Sequence, residues 1–282
     1  MDIKELKVDK TEKQNHPWEF ARLYVIKDIL KGINAKTVNK NILDIGSGDL
    51  FFITHFAGKM KDGSIIAADA TAGASYKLAP NVLKDGVIHA VDTAYDNDLV
   101  SLLQNKYINY NIKFYQSIDD LKGIEKVSVV FLLDVLEHIE KDMDFLEQVA
   151  EIQGIDSDTL FVISVPAYQR LFCSHDQWIG HYRRYSGTSL TKLIQAANLS
   201  CIQSGYFFFS LIFPRLCKKV FERFFRNLRN AGIGDWNGSK FTTDFYKNIL
   251  ITDYRISKML RRIGVKLPGL STYIICQKPV KV

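Results

Sequence analysis

The segment NILDIGSGDLFF, residues 41–52, decides the fold of this 282-residue chain. A β-rich apolar run ends there in a turn with two glycines, Gly46 and Gly48, and an apolar segment follows. Glycines allow the backbone to turn tightly and to approach a ligand closely, because no Cβ is in the way. In an open parallel sheet, ligands bind at the carboxyl ends of the strands near this first turn. The segment therefore predicts a nucleotide-like ligand at the edge of an α/β sheet.

Further β-rich runs alternate with helical or loop segments along the chain. They cover residues 64–69, 111–115, 127–133, 160–165, 201–209 and 271–276. Continuous apolar runs such as 127–133 are typical of strands that are covered on both faces. Together with residues 41–45, these runs predict a doubly wound, mostly parallel α/β sheet of seven strands, with a helical insert before the last strand.

The length and composition indicate a single folded domain over residues 1–282. Apolar residues at helical spacing predict an amphipathic helix within an N-terminal helical cap, residues 1–40, and we place the helical insert at 206–250. A content of 47% hydrophobic and 24% charged residues excludes a disordered or fibrous chain. The net charge of +6 is too mild to establish a nucleic-acid-binding surface, so no nucleic-acid partner is predicted.

Cysteine usage and the N-terminus predict a cytoplasmic protein without a bound metal. The four cysteines form no CxxC pair, so neither a zinc site nor a redox motif is indicated. Residues 1–14 are too polar for a signal peptide, and no apolar run reaches the length of a membrane span. A reducing cytoplasm is then the expected location.

An acid downstream of the glycine turn favours an adenosine-type ligand. Asp69 ends the run 64–69, 21 residues beyond Gly48, where a carboxylate can accept both hydroxyls of a ribose. A dinucleotide fingerprint needs a third glycine in G-x-G-x-x-G, but Phe51 occupies that position. Asp44, before the first glycine, adds a negative charge. This charge suits a ligand with an ammonium and a sulfonium better than one with a pyrophosphate.

Later motifs point to one family. "DVLEH" follows the fourth run at 134–138, "VPAY" comes after the fifth at 165–168, and "GHYRRY" is found at 180–185. With "HPWEFAR" at 16–22 and "LPGLSTYIICQKP" at 267–279, the chain resembles the S-adenosylmethionine-dependent methyltransferases of the seven-stranded Rossmann-like type (class I). More narrowly, it is similar to a broad bacterial group with small-molecule or glycan-type acceptors. The resemblance covers most of the chain and implies S-adenosylmethionine as the cofactor.

The resemblance also implies which residues contact that cofactor. The candidates are Arg22, Asp44, Gly46, Ser47, Gly48, Asp69, Ala70, Asp119, Asp134, Val135 and Leu136. Asp44 and the glycine turn would line the methionine end, Asp69 would hold the ribose, and Asp119 would meet the adenine. The chain departs from the family at Ser47, usually Cys, and at "GDL", residues 48–50, usually "GTG". The second change can alter how the helix begins and how the methionine carboxylate is held.

Candidates for catalysis and acceptor binding cluster after the fourth and fifth runs. The catalytic candidates are His138, His175, His181 and Tyr185, and the acceptor-binding candidates are Tyr168, Tyr182, Arg183 and Arg184. Histidine titrates near neutral pH, as a general base requires, although His138 is equally consistent with a packing role. Arginines can clamp a carboxylate or phosphate, and we expect one of the pair to be structural and one to face the pocket.

We therefore expect methyl transfer from S-adenosylmethionine to an oxygen or nitrogen of a small-molecule or glycan-type acceptor. Two alternatives stay open: a binding protein that holds the cofactor without turnover, and, less favoured, an NAD-dependent oxidoreductase. Residues 206–240 are rich in Phe and Arg/Lys and have three interpretations. They can form a lid over the acceptor, a helix pair for a partner subunit in a homodimer, or a peripheral membrane contact through 206–229.

Overall fold

The computed structural model describes residues 16–33, 41–57, 86–224, 236 and 238–280. The strands in these ranges are β1 (Asn41–Ile45), β2 (Ile88–Val91), β3 (Ile112–Tyr115), β4 (Val127–Leu133), β5 (Leu160–Pro166), β6 (Ser200–Phe207) and β7 (Ser271–Gln277). They form one sheet in the order β3-β2-β1-β4-β5-β7-β6. β7 runs antiparallel to β5 and β6, and the other neighbouring strands are parallel. The predicted doubly wound, mostly parallel sheet is confirmed.

Helices connect the strands and cover both faces of the sheet. They are α1 (Pro17–Gly32), α2 (Phe51–Ala57), α3 (Asn97–Lys106), α4 (Asp142–Glu151), α5 (Ser174–Ile179), α6 (Gly187–Ala196), α7 (Ile212–Phe224) and α8 (Lys240–Arg262). α7 and α8 lie between β6 and β7, which confirms a helical insert before the last strand. Over the described ranges, no helix is both long enough and apolar enough to cross a bilayer.

The strand beside β1 differs from the prediction. β2, at Ile88–Val91, pairs in parallel with both β1 and β3 and places Ala90 opposite Asp44. The expectation that residues 64–69 form the strand next to β1 is therefore wrong. That run, with Asp69 and Ala70, lies outside the described residues. The run "SIIAAD" is longer than "IHAV", and it has the usual distance of about 20 residues from glycine turn to acid, so sequence reasoning preferred it.

The strand β4 shows why both faces of the sheet are apolar. Val129 and Phe131 face a core shared with α1, α2 and α8, whereas Val130 and Leu132 face a second core shared with α4 and α6. Phe131 is fully buried, and its ring centroid lies 5.0 Å from that of Phe52 on α2. Burial on alternate sides explains the continuous apolar run 127–133, because successive side chains of a strand point to opposite faces.

The insert helix α8 packs against the N-terminal helix α1. Asp28 of α1 accepts a hydrogen bond from the Tyr254 hydroxyl at 2.7 Å and pairs with Lys258 Nζ at 2.5 Å. Arg255 Nε donates to the Tyr24 hydroxyl at 3.0 Å. These contacts join residues more than 200 positions apart, so α8 belongs to the same folded unit as the sheet.

Candidate active site

The glycine turn after β1 uses backbone conformations that favour glycine. Gly46 has a φ of +73° and Gly48 a φ of +53°. A Cβ on Gly46 would lie 2.6 Å from Cγ2 of Val135, so a side chain there would collide with the segment after β4. Leu50, the last residue of "GDL", also has a positive φ of 64°. The left-handed region costs a non-glycine residue roughly 1–2 kcal/mol, so the departure from "GTG" falls at a strained position.

Two residues after β2 hold the glycine turn in place. Asp92 Oδ2 accepts a hydrogen bond from the Gly48 N–H at 2.9 Å. The Tyr95 hydroxyl donates to the Gly48 carbonyl at 3.1 Å and lies 2.7 Å from Ser47 Oγ. Burial raises the pKa of Tyr95 above its usual range, so the hydroxyl stays protonated. Asp92 occupies the position that the sequence analysis assigned to Asp69, at the carboxyl end of the strand beside β1.

Asp44 is a buried acid one residue before the end of β1. Its exposure is 3%, and none of the described residues donates a hydrogen bond to its carboxylate. Burial raises the pKa of Asp44 to about 7, the Arg22 guanidinium opposes this rise, and the Asp92 carboxylate adds to it. The edge of the sheet beside the glycine turn is thus an acidic site in which a cation would stabilise the ionised form.

Arg22 reaches from α1 over the carboxyl end of β4. It forms an ion pair with Asp134, and its guanidinium carbon lies 4.3 Å from the centroid of the Trp18 ring. Asp134 has a φ of 59°, and its N–H donates to the Ser164 carbonyl of β5. The Nε of Arg22 is buried and has no hydrogen-bond partner in the described part of the chain. Arg22 therefore neutralises the charge of Asp134 and keeps its Nε–H as a hydrogen-bond donor for a ligand.

The side chains of Glu137, His138 and His181 lie close together at the end of the "DVLEH" segment. The His138 and His181 rings pack edge to face, with centroids 4.6 Å apart. His181 Nε2 lies 3.9 Å from Glu137 Oε1, and the Tyr182 N–H donates to the Glu137 carbonyl at 2.8 Å. Glu137 is fully buried, and its pKa lies well above the usual range because of burial, with a further contribution from Asp134.

Asp176 on α5 collects several donors and was missed by the sequence analysis. Its carboxylate accepts hydrogen bonds from Arg184 Nε at 2.9 Å and from the Cys173 N–H at 2.8 Å, and it also pairs with Arg215 of α7. His181 Nδ1 lies 3.0 Å from Asp176 Oδ1. The pKa of Asp176 is held below its usual range, because these partners outweigh its burial. No local motif signals this acid, since Arg215 comes 39 residues later.

The remaining residues of "GHYRRY" also have protein partners. Arg183 Nη1 pairs with Asp142 at 2.7 Å, and Arg183 Nη2 donates to the Glu140 carbonyl. The buried Tyr185 hydroxyl lies 2.7 Å from Asp142 Oδ2 and 3.1 Å from the Leu136 carbonyl oxygen, and it can donate a hydrogen bond to either. Arg183 and Tyr185 thus tie the loop to the start of α4, and their predicted roles toward an acceptor or in catalysis stay predictions.

Aromatic side chains and His175 line the outer part of the same loop region. Tyr168, with a φ of 64°, stacks on Tyr206 of β6 at 5.3 Å between centroids. Tyr182 and Trp178 are 53% and 42% exposed, as residues at a substrate entrance would be. Burial lowers the pKa of His175 to about 4, so its ring is a weak base at neutral pH.

The structure brings most predicted cofactor contacts to one edge of the sheet. The turn after β1 and the segment 134–136 after β4 lie side by side, because β1 and β4 are neighbours. Asp119 lies after β3, exposed, within a short 3₁₀ turn capped by Ser117. Asp92 and Tyr95 were overlooked, and the signal that could have found them is the short apolar run "IHAV" ending in an acid.

Comparisons with known proteins concern the fold. No protein-family model matches the chain, and no curated protein matches it in sequence. Solved structures do resemble it. The plantazolicin methyltransferase BpumL, solved in complex with SAH, is 13% identical, with coverage of 93% of this chain and 84% of the other and a TM-score of 0.50.

Two further solved structures are similar over comparable lengths. An S-adenosylmethionine-dependent methyltransferase from Clostridium acetobutylicum is 11% identical, covers 92% of each chain and has a TM-score of 0.49. A SAM-dependent methyltransferase from Archaeoglobus fulgidus is 15% identical, covers 91% of this chain and 94% of the other, and has a TM-score of 0.45. At such identities the likeness to BpumL shows the fold alone, and the predicted Rossmann-like α/β fold is confirmed.

Proposed function

We propose that the protein transfers a methyl group from S-adenosylmethionine to an oxygen or nitrogen of a small-molecule or glycan-type acceptor. The observation that carries this proposal is Asp44, a buried acid without a donor among the described residues, beside the glycine turn. S-adenosylmethionine has an ammonium and a sulfonium, either of which would stabilise the ionised carboxylate. A pyrophosphate would instead bring negative charge towards Asp44 and Asp92, which disfavours NAD.

The residues present fit such a cofactor at several points. The backbone of Gly46 and Gly48 leaves space for close approach, and the unpartnered Nε of Arg22 can donate to the methionine carboxylate. Each oxygen of Asp92 accepts one backbone N–H, from Gly48 or Ala94, and keeps the capacity to accept a ribose hydroxyl. We therefore transfer the ribose role from Asp69 to Asp92.

The chain's own residues have a limited chemical task. When bound, the cofactor supplies an already activated methyl group, so the protein must mainly exclude water and align the acceptor. The segment 134–136, beside the glycine turn, would form one wall of that space. His175 is a poor candidate for receiving a proton, because its low pKa makes it a weak base. The acceptor class rests on the resemblance of "DVLEH" and "GHYRRY" to the bacterial group.

Calorimetric titration with S-adenosylhomocysteine, with NAD in parallel, tests the proposal. We expect the protein to bind S-adenosylhomocysteine and not NAD. We also expect Asp44→Asn and Asp92→Asn each to weaken the binding of S-adenosylhomocysteine. Asp158→Asn, at an exposed acid that pairs with Lys126 before β4, is the control. Binding of NAD, or of neither ligand, would refute the cofactor assignment. Binding without acceptor-dependent turnover would favour the alternative of a non-catalytic binding protein.

A further inference from the structure

We propose that Glu137, His138 and His181 form a binding site for a divalent transition-metal cation. One donor atom from each residue lies within 4.8 Å of the other two. Zinc binds histidine nitrogen and carboxylate oxygen at about 2.0–2.2 Å, so two ligands of one ion lie at most about 4.4 Å apart. Small rotations of the three side chains would therefore bring them into coordination distance.

The carboxylate of Glu137 is the first argument for a cation. The residue is fully buried, and neither carboxylate oxygen has a hydrogen-bond partner within the described ranges. An ionised carboxylate in this position has no hydrogen-bond donor within the described ranges, and a protonated one would leave its O–H without an acceptor. Either form is costly, and a bound cation removes the cost.

The orientation of His181 is the second argument. Its Nδ1 lies 3.0 Å from Asp176 Oδ1, so the Nδ1–H donates to this carboxylate and the lone pair of Nε2 faces Glu137. Metal-binding histidines commonly donate their other ring N–H to a carboxylate in this manner, which fixes the tautomer and the ring orientation. Arg184 and Arg215 hold Asp176 in turn, so the hydrogen bond that orients His181 is in place before any ion binds.

The donor set indicates the class of metal. Two imidazoles and one carboxylate suit Zn²⁺, Mn²⁺ or Fe²⁺, whereas Mg²⁺ and Ca²⁺ prefer oxygen ligands. Three protein ligands leave at least one coordination position open, as in catalytic zinc sites. The sequence analysis predicted no metal from the cysteine pattern, and it overlooked this cluster, since His181 lies 43 residues after His138 and forms no recognisable ligand motif with it.

The position of the cluster suggests a use, and this step rests on the proposed function. Glu137 and His138 directly follow the segment 134–136, which would border the methyl group of the cofactor. A cation there can bind an acceptor oxygen in its open position and lower the pKa of that hydroxyl, with the proton passing to water. The site therefore favours an oxygen acceptor over a nitrogen acceptor.

Metal titration of the full-length chain tests the site without recourse to turnover. The protein is freed of metal with a chelator and titrated in a calorimeter with Zn²⁺, Mn²⁺ and Mg²⁺ separately. We expect Zn²⁺ to bind in a one-to-one complex, and Glu137→Gln and His181→Ala each to weaken binding at least about tenfold. His175→Ala, in the same loop but outside the cluster, should bind Zn²⁺ as the unmodified protein does. Glu137→Gln keeps the shape of the side chain, and circular dichroism verifies that it folds.

Each outcome decides for or against the site. Zinc binding that survives in both ligand variants, for example at the exposed Cys201 and Cys217, would overturn the proposal. So would an absence of Zn²⁺ and Mn²⁺ binding, or a preference for Mg²⁺. A parallel titration with S-adenosylhomocysteine separates the two proposals, because cofactor binding without metal binding refutes only the metal site.

Discussion

Replacing Asp176 with asparagine tests the buried ion pairs between the loop after β5 and α7. The fully buried Asp176 carboxylate pairs with Arg184 and Arg215, which are themselves buried, and contacts His181 Nδ1. Asparagine has nearly the same shape but no charge, and its amide nitrogen would face a guanidinium where an acceptor is needed. Two buried cations would thus lose their counter-charge.

The magnitude follows from the burial of all three groups. Removing one partner of a buried ion pair costs about 3–5 kcal/mol, since the remaining charge is left uncompensated. The asparagine carbonyl can keep part of the two-point contact with Arg184, so we expect Asp176→Asn to lower the free energy of unfolding by about 3 kcal/mol at pH 7. Denaturant-induced unfolding of both proteins measures the difference. Asp158→Asn, at an exposed acid that pairs with Lys126, is the control and should change the free energy of unfolding little.

The pH dependence gives a second readout of the same carboxylate. The pKa of Asp176 is lower in the folded protein than its ordinary value of 3.8, so its contribution to stability is fully present above that value. It is lost as the pH falls through the folded-state pKa. The free energies of the two proteins should therefore converge in acid. A difference below about 1 kcal/mol at pH 7, or one that does not shrink in acid, would refute the assigned role of the ion pairs.

Three further predictions concern ligands and surfaces. Asp92→Asn should weaken S-adenosylhomocysteine binding by about 1–3 kcal/mol in calorimetry, through loss of charge-assisted hydrogen bonds. Asp158→Asn, at an exposed acid that pairs with Lys126, should leave this binding unchanged. Because the pKa of Asp44 is about 7, affinity for S-adenosylmethionine should fall as the pH drops below that value, and Asp44→Asn should abolish this dependence. Phe213 and Phe224 on α7 are 72% and 74% exposed, so replacing both with Ser should reduce co-sedimentation with anionic vesicles if α7 contacts a membrane.

Local sequence determined the sheet almost entirely. Six of the seven predicted runs coincide with strands of the described sheet, because apolar strands that alternate with helices leave few ways to pack. The glycine turn, with Asp44 before it and "DVLEH" after β4, also needed no tertiary information. Its chemistry depends on adjacent residues and on the rule that ligands bind at the carboxyl ends of parallel strands. The second strand is the exception, since distance along the chain favoured Asp69 over Asp92.

Only the tertiary structure decided which distant polar groups meet. Asp176 gathers Arg184 and Arg215, and Glu137 faces His181, across separations of up to 44 residues that carry no periodic or motif signal. Burial then set their chemistry, because a charge removed from water needs a partner that the chain can supply only by folding. The sequence by itself determined six of the seven strands and the glycine turn after β1. Tertiary packing decided which acids are paired and which, like Asp44 and Glu137, receive no hydrogen bond from the described residues.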